Sequence, residues 1–253
     1  MVIRSIEKAI EVLDSFSPEH PVLSVSGISK RTKLTKSTVS RILSTLEKKG
    51  CVVKDRQRGH YRLGPKLYQW VYLINNCSES NLPAIARPLM EKLRDFCKEE
   101  VSLYIREGNS RICVARAESK YGVARVTSVG TSLPLHCGAA GKVLLAYLRE
   151  EEIDQLIREK PLVRYTPQTI TDPDKLKHNL QQIRKDGYAI SFSEREMGAF
   201  SIVAPIRDGH KKVVASLTIS GPNYRFPEQN LDKVLANLMA TAKEISTYLG
   251  FGG

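Results

Sequence analysis

Residues 34–46 read Leu34-Thr35-Lys36-Ser37-Thr38-Val39-Ser40-Arg41-Ile42-Leu43-Ser44-Thr45-Leu46, and their periodicity decides how the first quarter of the chain folds. Val39, Ile42, Leu43 and Leu46 stand at i, i+3, i+4 and i+7, the spacing of one helix face, and Thr35 supplies a hydroxyl N-cap. Turning that stripe to a core leaves Lys36, Ser37, Ser40, Arg41, Ser44 and Lys48 on the other side. Such a short, polar, basic flank suits a DNA major groove. Ser and Thr hydroxyls, Thr38 among them, reach phosphates or base edges, and Arg41 is long enough to grip a guanine edge bidentately. An ordinary solvated face would look the same, so this helix alone leaves the two readings level.

The flanks separate them. Upstream, Ile3, Ile6, Ile10 and Leu13 form the stripe of a first helix, widened by Val2, Ala9, Val12 and Phe16 and ending near Phe16, before Ser17-Pro18. A second short helix opens at Ser24 as N-cap, runs through Ile28 and stops near Lys33, giving a helix-turn-helix. Downstream, Gly50 caps the third helix. Cys51 to Lys54 then reads as a strand, Asp55 to Gly59 as a basic turn and His60 to Leu63 as the returning strand. The pattern is a winged helix, with Arg56 and Arg58 at the wing tip for phosphate or the minor groove and Arg62 as a supporting charge.

Charge agrees with this division. The 253 residues carry a formal net charge of +12; residues 1–66 hold 14 Lys/Arg against 6 Asp/Glu, whereas residues 67–253 hold 25 against 21. Most of the excess therefore sits on the small N-terminal module, as expected of a nucleic-acid reader joined to a near-neutral domain. No run of about 18 uncharged apolar residues is present and the N-terminus lacks a signal peptide's apolar region, which predicts a cytoplasmic protein.

After Gly64-Pro65, Leu67, Trp70, Val71 and Ile74 repeat the helical stripe, with Tyr68 and Tyr72 beside it. This predicts a linker helix over 65–77 that also contributes to a dimer contact, because winged-helix readers bind paired half-sites. Core packing within the chain is the other reading of the same stripe. Residues 78–253 read as an α+β domain: a helix from Leu82, strands over 101–107, 111–118 and 122–129, helices that include one opened by Asp172-Pro173, strands over 188–193, 200–207 and 212–219, and a final helix through Leu231, Val234, Leu235 and Leu238. The predicted organisation is a winged helix-turn-helix over 1–64, the linker, and an antiparallel sheet with flanking helices over 78–253.

The run LTKSTVSRILSTL, then EKKGCVVKD and YRLGPKL, resembles the winged helix of IclR-type transcriptional regulators. Thr35 stands where that family commonly has Pro, and Gly27 where a Glu would complete a capping box with Ser24. The likeness continues through Leu133-Pro134-Leu135-His136, Gly141-Lys142, Gly187-Tyr188, Glu194, Gly198, Ala204-Pro205 and Thr218 to Pro222, covering about Ile3 to Leu249. It implies a GAF-like effector domain that senses a small organic acid or aromatic compound, and a regulator, expected to be a repressor, that binds a near-palindromic double-stranded operator as a homodimer or dimer of dimers. The pocket residues it implies are Ala139, Ala140, Ser191, Ser201, Thr218 and Ser220. Ser191 replaces an Asp of some members, and Phe200 a polar residue of many. Leu135, Val143 and Leu144 would supply an apolar wall, and free amides at the helix start after Gly138 would attract a carboxylate.

Other chemistry is poorly served. Gly141-Lys142 lacks the preceding Gly and following Ser/Thr of a P-loop. His136-Cys137 has no orienting third group, and no G-x-S-x-G elbow occurs, so no catalytic residues and no cofactor are expected. The five His residues show no metal spacing. Five widely spaced cysteines, Cys51, Cys77, Cys97, Cys113 and Cys137, form no C-x-x-C pair. They read as reduced thiols, with a redox sensor at Cys137 or Cys113 as the alternative function, since a helix start can acidify a thiol. A small-molecule-binding enzyme ranks below it.

Overall fold

Hydroxyl caps start the second and third helices of the N-terminal region where the sequence puts them. The computed structural model describes residues 3–17, 19–55, 58–76, 82–119, 121, 127–226 and 230–252. It falls into two units, Met1–Asn81 and Leu82–Gly253. The first runs α1 (Arg4–Asp14), β1 (Leu23–Ser24), α2 (Val25–Thr32), α3 (Lys36–Lys48), β2 (Val52–Asp55), β3 (His60–Leu63) and α4 (Lys66–Asn76). Ser24 Oγ accepts the Gly27 N–H at 3.1 Å, and Thr35 Oγ1 accepts the Thr38 N–H at 3.3 Å. Lys33, left-handed at φ 58°, ends α2 and turns the chain into α3.

Val12, Phe16, Leu23, Ile28, Val39, Leu43, Val52 and Tyr61 make this unit's core, with Ile42 and Leu46 partly buried against it. The α3 stripe is thus the inner face, and each such side chain contributes roughly 1.5–3 kcal/mol by leaving water. The stripe expected on α1 is corrected: Val12 is the residue sealed in, whereas Ile3, Ile6 and Ile10 are each more than half exposed. A helix of 11 residues against a core this small can bury only the side facing α2 and α3. The two-residue β1 was not anticipated. It pairs antiparallel with β3, so the wing belongs to a three-stranded sheet in the order β1-β3-β2.

The second unit runs α5 (Leu82–Cys97), β4 (Glu100–Glu107), β5 (Ser110–Ala117), β6 (Ser132–Pro134), α6 (Ala139–Ala146), α7 (Glu150–Glu159), α8 (Pro173–Asp186), β7 (Ala189–Phe192), β8 (Ala199–Arg207), β9 (Val213–Pro222) and α9 (Leu231–Tyr248). The strands form one antiparallel sheet in the order β6-β5-β4-β9-β8-β7. Of the strand expected over 122–129, residues 122–126 lie outside the described residues and 127–129 are not strand; the edge strand is β6. Ala215, Leu217 and Ile219 of β9 pack with α5 and α9 on one face. Because strand side chains alternate, Ser216, Thr218 and Ser220 turn to the other face, where α6, α7 and α8 cover a second core. No helix among the described residues is long and apolar enough to cross a membrane.

Candidate nucleic-acid interface and ligand cavity

On α3 the burial of Val39 and Leu43 fixes which side is free, and Lys36, Ser37, Ser40, Arg41, Ser44 and Lys48 are all exposed. Thr38 is half-buried. Its Oγ1 lies 2.9 Å from Thr35 Oγ1, and Ser37 Oγ lies 3.0 Å from the same atom, so the first turn carries a chain of three hydroxyls. Arg58 and Arg62 are exposed on the wing, Arg62 opposite Val53 in the β2–β3 register. Arg56 lies outside the described residues. The flank and wing thus combine short hydroxyl donors with six described cations, Lys36, Arg41, Lys48, Lys54, Arg58 and Arg62. That set suits a phosphate backbone and groove edges.

The second unit encloses a cavity of about 450 Å³. Ala139 and Ala140 from the start of α6, Ser191 from β7, Ser201 from β8 and Thr218 and Ser220 from β9 all line it, so six of the expected pocket residues come together. Ser191 Oγ accepts the Ala139 N–H at 3.2 Å and sits 3.0 Å from Ser201 Oγ. Thr218 Oγ1 is buried without a partner. Leu135 is corrected. It is buried in the core under α6 and does not line this cavity; nor do Val143 and Leu144. Leu133, two residues earlier and inside β6, takes the place expected of Leu135, which lies in the bend beyond the strand's end, together with Tyr104 and Phe200.

At the helix start two amides are already engaged: Glu194 Oε2 accepts the Gly138 N–H at 3.1 Å and Ser191 Oγ accepts the Ala139 N–H. Glu194 is itself paired with buried Lys142 at 2.5 Å. Gly138, Ala139 and Ala140 line the cavity, whereas Gly141 serves packing. A Cβ on Gly141 would lie 2.3 Å from the Leu135 carbonyl oxygen and 2.4 Å from Arg111 Nη1. Arg111 was missed by the sequence reading. It is buried under this turn, with Nη1 donating to the Pro134 and Cys137 carbonyls at 2.5 and 2.8 Å, and it lines the cavity beside the Tyr104 ring. The reason it was missed lies in the sheet. Leu103 pairs with Ala115 but Tyr104 with Cys113, so Val114 is an extra residue, and this bulge reverses the faces of the strand on either side of it.

Burial raises the pKa of the Tyr104 phenol. It also raises the Glu100 carboxyl, against hydrogen bonds from Arg116 and Ser102 that act the other way. The thiols follow the same rule: burial pushes Cys97 and Cys113 up to about 11 and raises Cys137, whose Sγ donates to the Glu194 carbonyl at 3.2 Å. Among the described residues no three His, Cys, Asp or Glu side chains gather as a metal site.

Comparison with known proteins places this geometry. The model described as "IclR helix-turn-helix domain" matches residues 5–56, and "Bacterial transcriptional regulator IclR C-terminal" matches residues 75–247. The chain is 32% identical over 248 residues to the HTH-type transcriptional regulator KipR of Bacillus subtilis, covering 98% of each. It is 33% identical to the HTH-type transcriptional repressor AllR of Salmonella paratyphi A, covering 98% of this chain and 90% of AllR. An IclR homolog from Microbacterium hydrocarbonoxydans, solved in complex with 4-hydroxybenzoate, superposes with a TM-score of 0.84 at 27% identity, covering 97% of this chain and 98% of that one.

Proposed function

The chain belongs to the IclR family of bacterial transcriptional regulators, and from that premise we propose that it is a repressor whose operator affinity is set by a small organic acid or aromatic effector held in the 450 Å³ cavity. The observation that carries the reading is a pairing: an uncovered basic flank on α3 in one unit, and a cavity edged by strand hydroxyls and aromatic rings in the other. The AllR repressor and the 4-hydroxybenzoate complex among the relatives support the repressor and effector parts.

In this reading Lys36, Ser37, Thr38, Ser40 and Arg41 face the major groove while Arg56, Arg58 and Arg62 hold phosphates or the minor groove. Residues 1–64 act as the reader, 65–77 as the connector and 78–253 as the sensor. Ile3, Ile6 and Ile10 on α1 and Tyr68, Trp70, Val71 and Leu73 on α4, all exposed in the single chain, favour a homodimer or dimer of dimers on a near-palindromic site. Effector binding shifts the pair of readers through the connector, coupling the sites by about 1–3 kcal/mol. A thiol-based sensor fares worse, because Cys113 and Cys137 are buried and held protonated. An enzyme reading has no assembled nucleophile and base to rest on among the described residues.

The test is selection of binding sites from a random duplex library, followed by titration of Arg41→Ala and Arg58→Ala on the selected duplex. Arg41→Ala relaxes sequence preference. Arg58→Ala weakens binding to every duplex alike and lowers the salt slope by about one. Retention of wild-type affinity and preference by both variants defeats the assigned reading face.

A further inference from the structure

A balance of charge around the cavity leaves one group over. Its walls carry Glu99, Glu100, Arg111, Glu194, Arg195, Glu196 and Arg225. Glu99 is held by Arg225 at 2.6 Å, Glu100 by Arg116 at 2.7 Å and Glu194 by Lys142 at 2.5 Å, while Arg195 stands 4.0 Å from Glu196. Arg111 alone of these wall residues has no carboxylate partner among the described residues. Its Nη1 is engaged by two carbonyls, its Nε is buried without a partner, and only 4% of the residue is exposed. A guanidinium stays protonated at neutral pH, and a buried positive charge is costly unless an anion faces it. The two carbonyls and the Tyr104 face 5.4 Å away offset part of that cost by dipole and quadrupole. Neither supplies a countercharge, and the carboxylate that acts on it through space, Glu194, is already committed to Lys142.

We propose that Arg111 is the specificity-determining residue of the cavity, and that the missing counter-ion is the carboxylate of a singly charged ligand whose apolar body packs on Tyr104, Leu133 and Phe200. The inference rests on the effector reading of the cavity and deepens it by naming the ligand class and the residue that selects it. A ligand with two carboxylates would bring one charge too many, and a neutral amide none.

The test is calorimetric titration and thermal melting of the full chain with benzoate, phenylacetate and pyruvate, each against its neutral amide and against phthalate as a dianion. The wild-type protein binds at least one monoacid, and binds it roughly 10- to 100-fold more tightly than its amide. Arg111→Gln abolishes that preference. Because Arg111 also ties down Pro134 and Cys137, circular dichroism of the variant is recorded alongside, and Arg111→Lys, which keeps the charge but loses the fork, retains the preference for acid over amide at reduced affinity. Equal binding of acid and amide by wild type, absence of binding by all three acids, or undiminished acid preference in folded Arg111→Gln overturns the assignment. If Arg111→Gln does not fold, loss of acid preference in Arg111→Lys overturns it and retention upholds it. Retention of the selected duplex is measured in parallel. Acid selection lost with duplex binding intact removes only the Arg111 assignment, and duplex binding lost with acid selection intact removes only the regulator reading.

Discussion

The outer flank of α3 and the first turn of α6 are both made of small or polar residues at the start of a helix, yet one is open to solvent and the other is sealed. On α3 the hydroxyls and cations project from a face that none of the described residues covers. On α6 every residue from Ala139 to Ala146 is buried, Lys142 included, and the turn is closed by Glu194, Ser191 and Arg111 from distant strands and loops. Local pattern decides the first case. Partners remote in sequence decide the second, and small residues leave an open polar face in one place and room for a buried guanidinium in the other.

Substitutions at matched positions test that contrast. Gly141→Val, which drives a side chain into the Leu135 carbonyl and the Arg111 guanidinium, is expected to cost more than about 4 kcal/mol or prevent folding, read from urea denaturation. Glu194→Gln leaves Lys142 buried without its countercharge and is expected to cost about 3 kcal/mol in the same measurement. If either variant is as stable as wild type, the sealed account of α6 is wrong. Arg41→Ala, by contrast, changes stability by less than about 0.5 kcal/mol. Its deficit appears in binding of the selected duplex, at about 1–3 kcal/mol against the correct base. Gly59→Ala in the wing, where φ is +65° and no atom lies within 4 Å of the added carbon, costs about 1 kcal/mol from backbone conformation alone. A larger loss there would show that the wing is packed rather than free.

A further effect concerns the thiols, is confined to alkaline pH and has a defined sign. Cys113 has its pKa raised to about 11 from an ordinary value of 9.0, so the folded protein favours the protonated form. Its contribution to stability is complete below pH 9 and is lost as pH rises towards 11. Cys113→Ala is therefore expected to flatten the decline of the urea midpoint between pH 9 and 11 while leaving the slope below pH 8 unchanged. Rapid alkylation of Cys113 or Cys137 in the native protein at pH 8 would revive the redox alternative.

The parts legible in the sequence are those governed by short-range rules. The α3 stripe, the Ser24 and Thr35 caps, the Asp172-Pro173 helix start and the hairpin at Gly108-Asn109 each depend on a few adjacent residues. The strand hydroxyls of the cavity came from family resemblance, and alternation along β9 explains why Thr218 and Ser220 share a face. Illegible were the features that hang on pairing across the fold. Leu133 rather than Leu135 lines the cavity because of how β6 lies on β5. Arg111 reaches it because one extra residue, Val114, changes the parity of β5. The exposure of Ile3, Ile6 and Ile10 could not be read either: their spacing marks an apolar face without saying what covers it.

Ser24 holds two duties at once. Its backbone pairs with His60, the first residue after the wing's turn, while its hydroxyl begins α2. Swinging the wing away from the helices would break that link, so on the proposed reading the hairpin and α3 arrive at a duplex as one preassembled tool. The spacing between their contacts is then a fixed length, and a duplex that departs from it must bend to fit the protein.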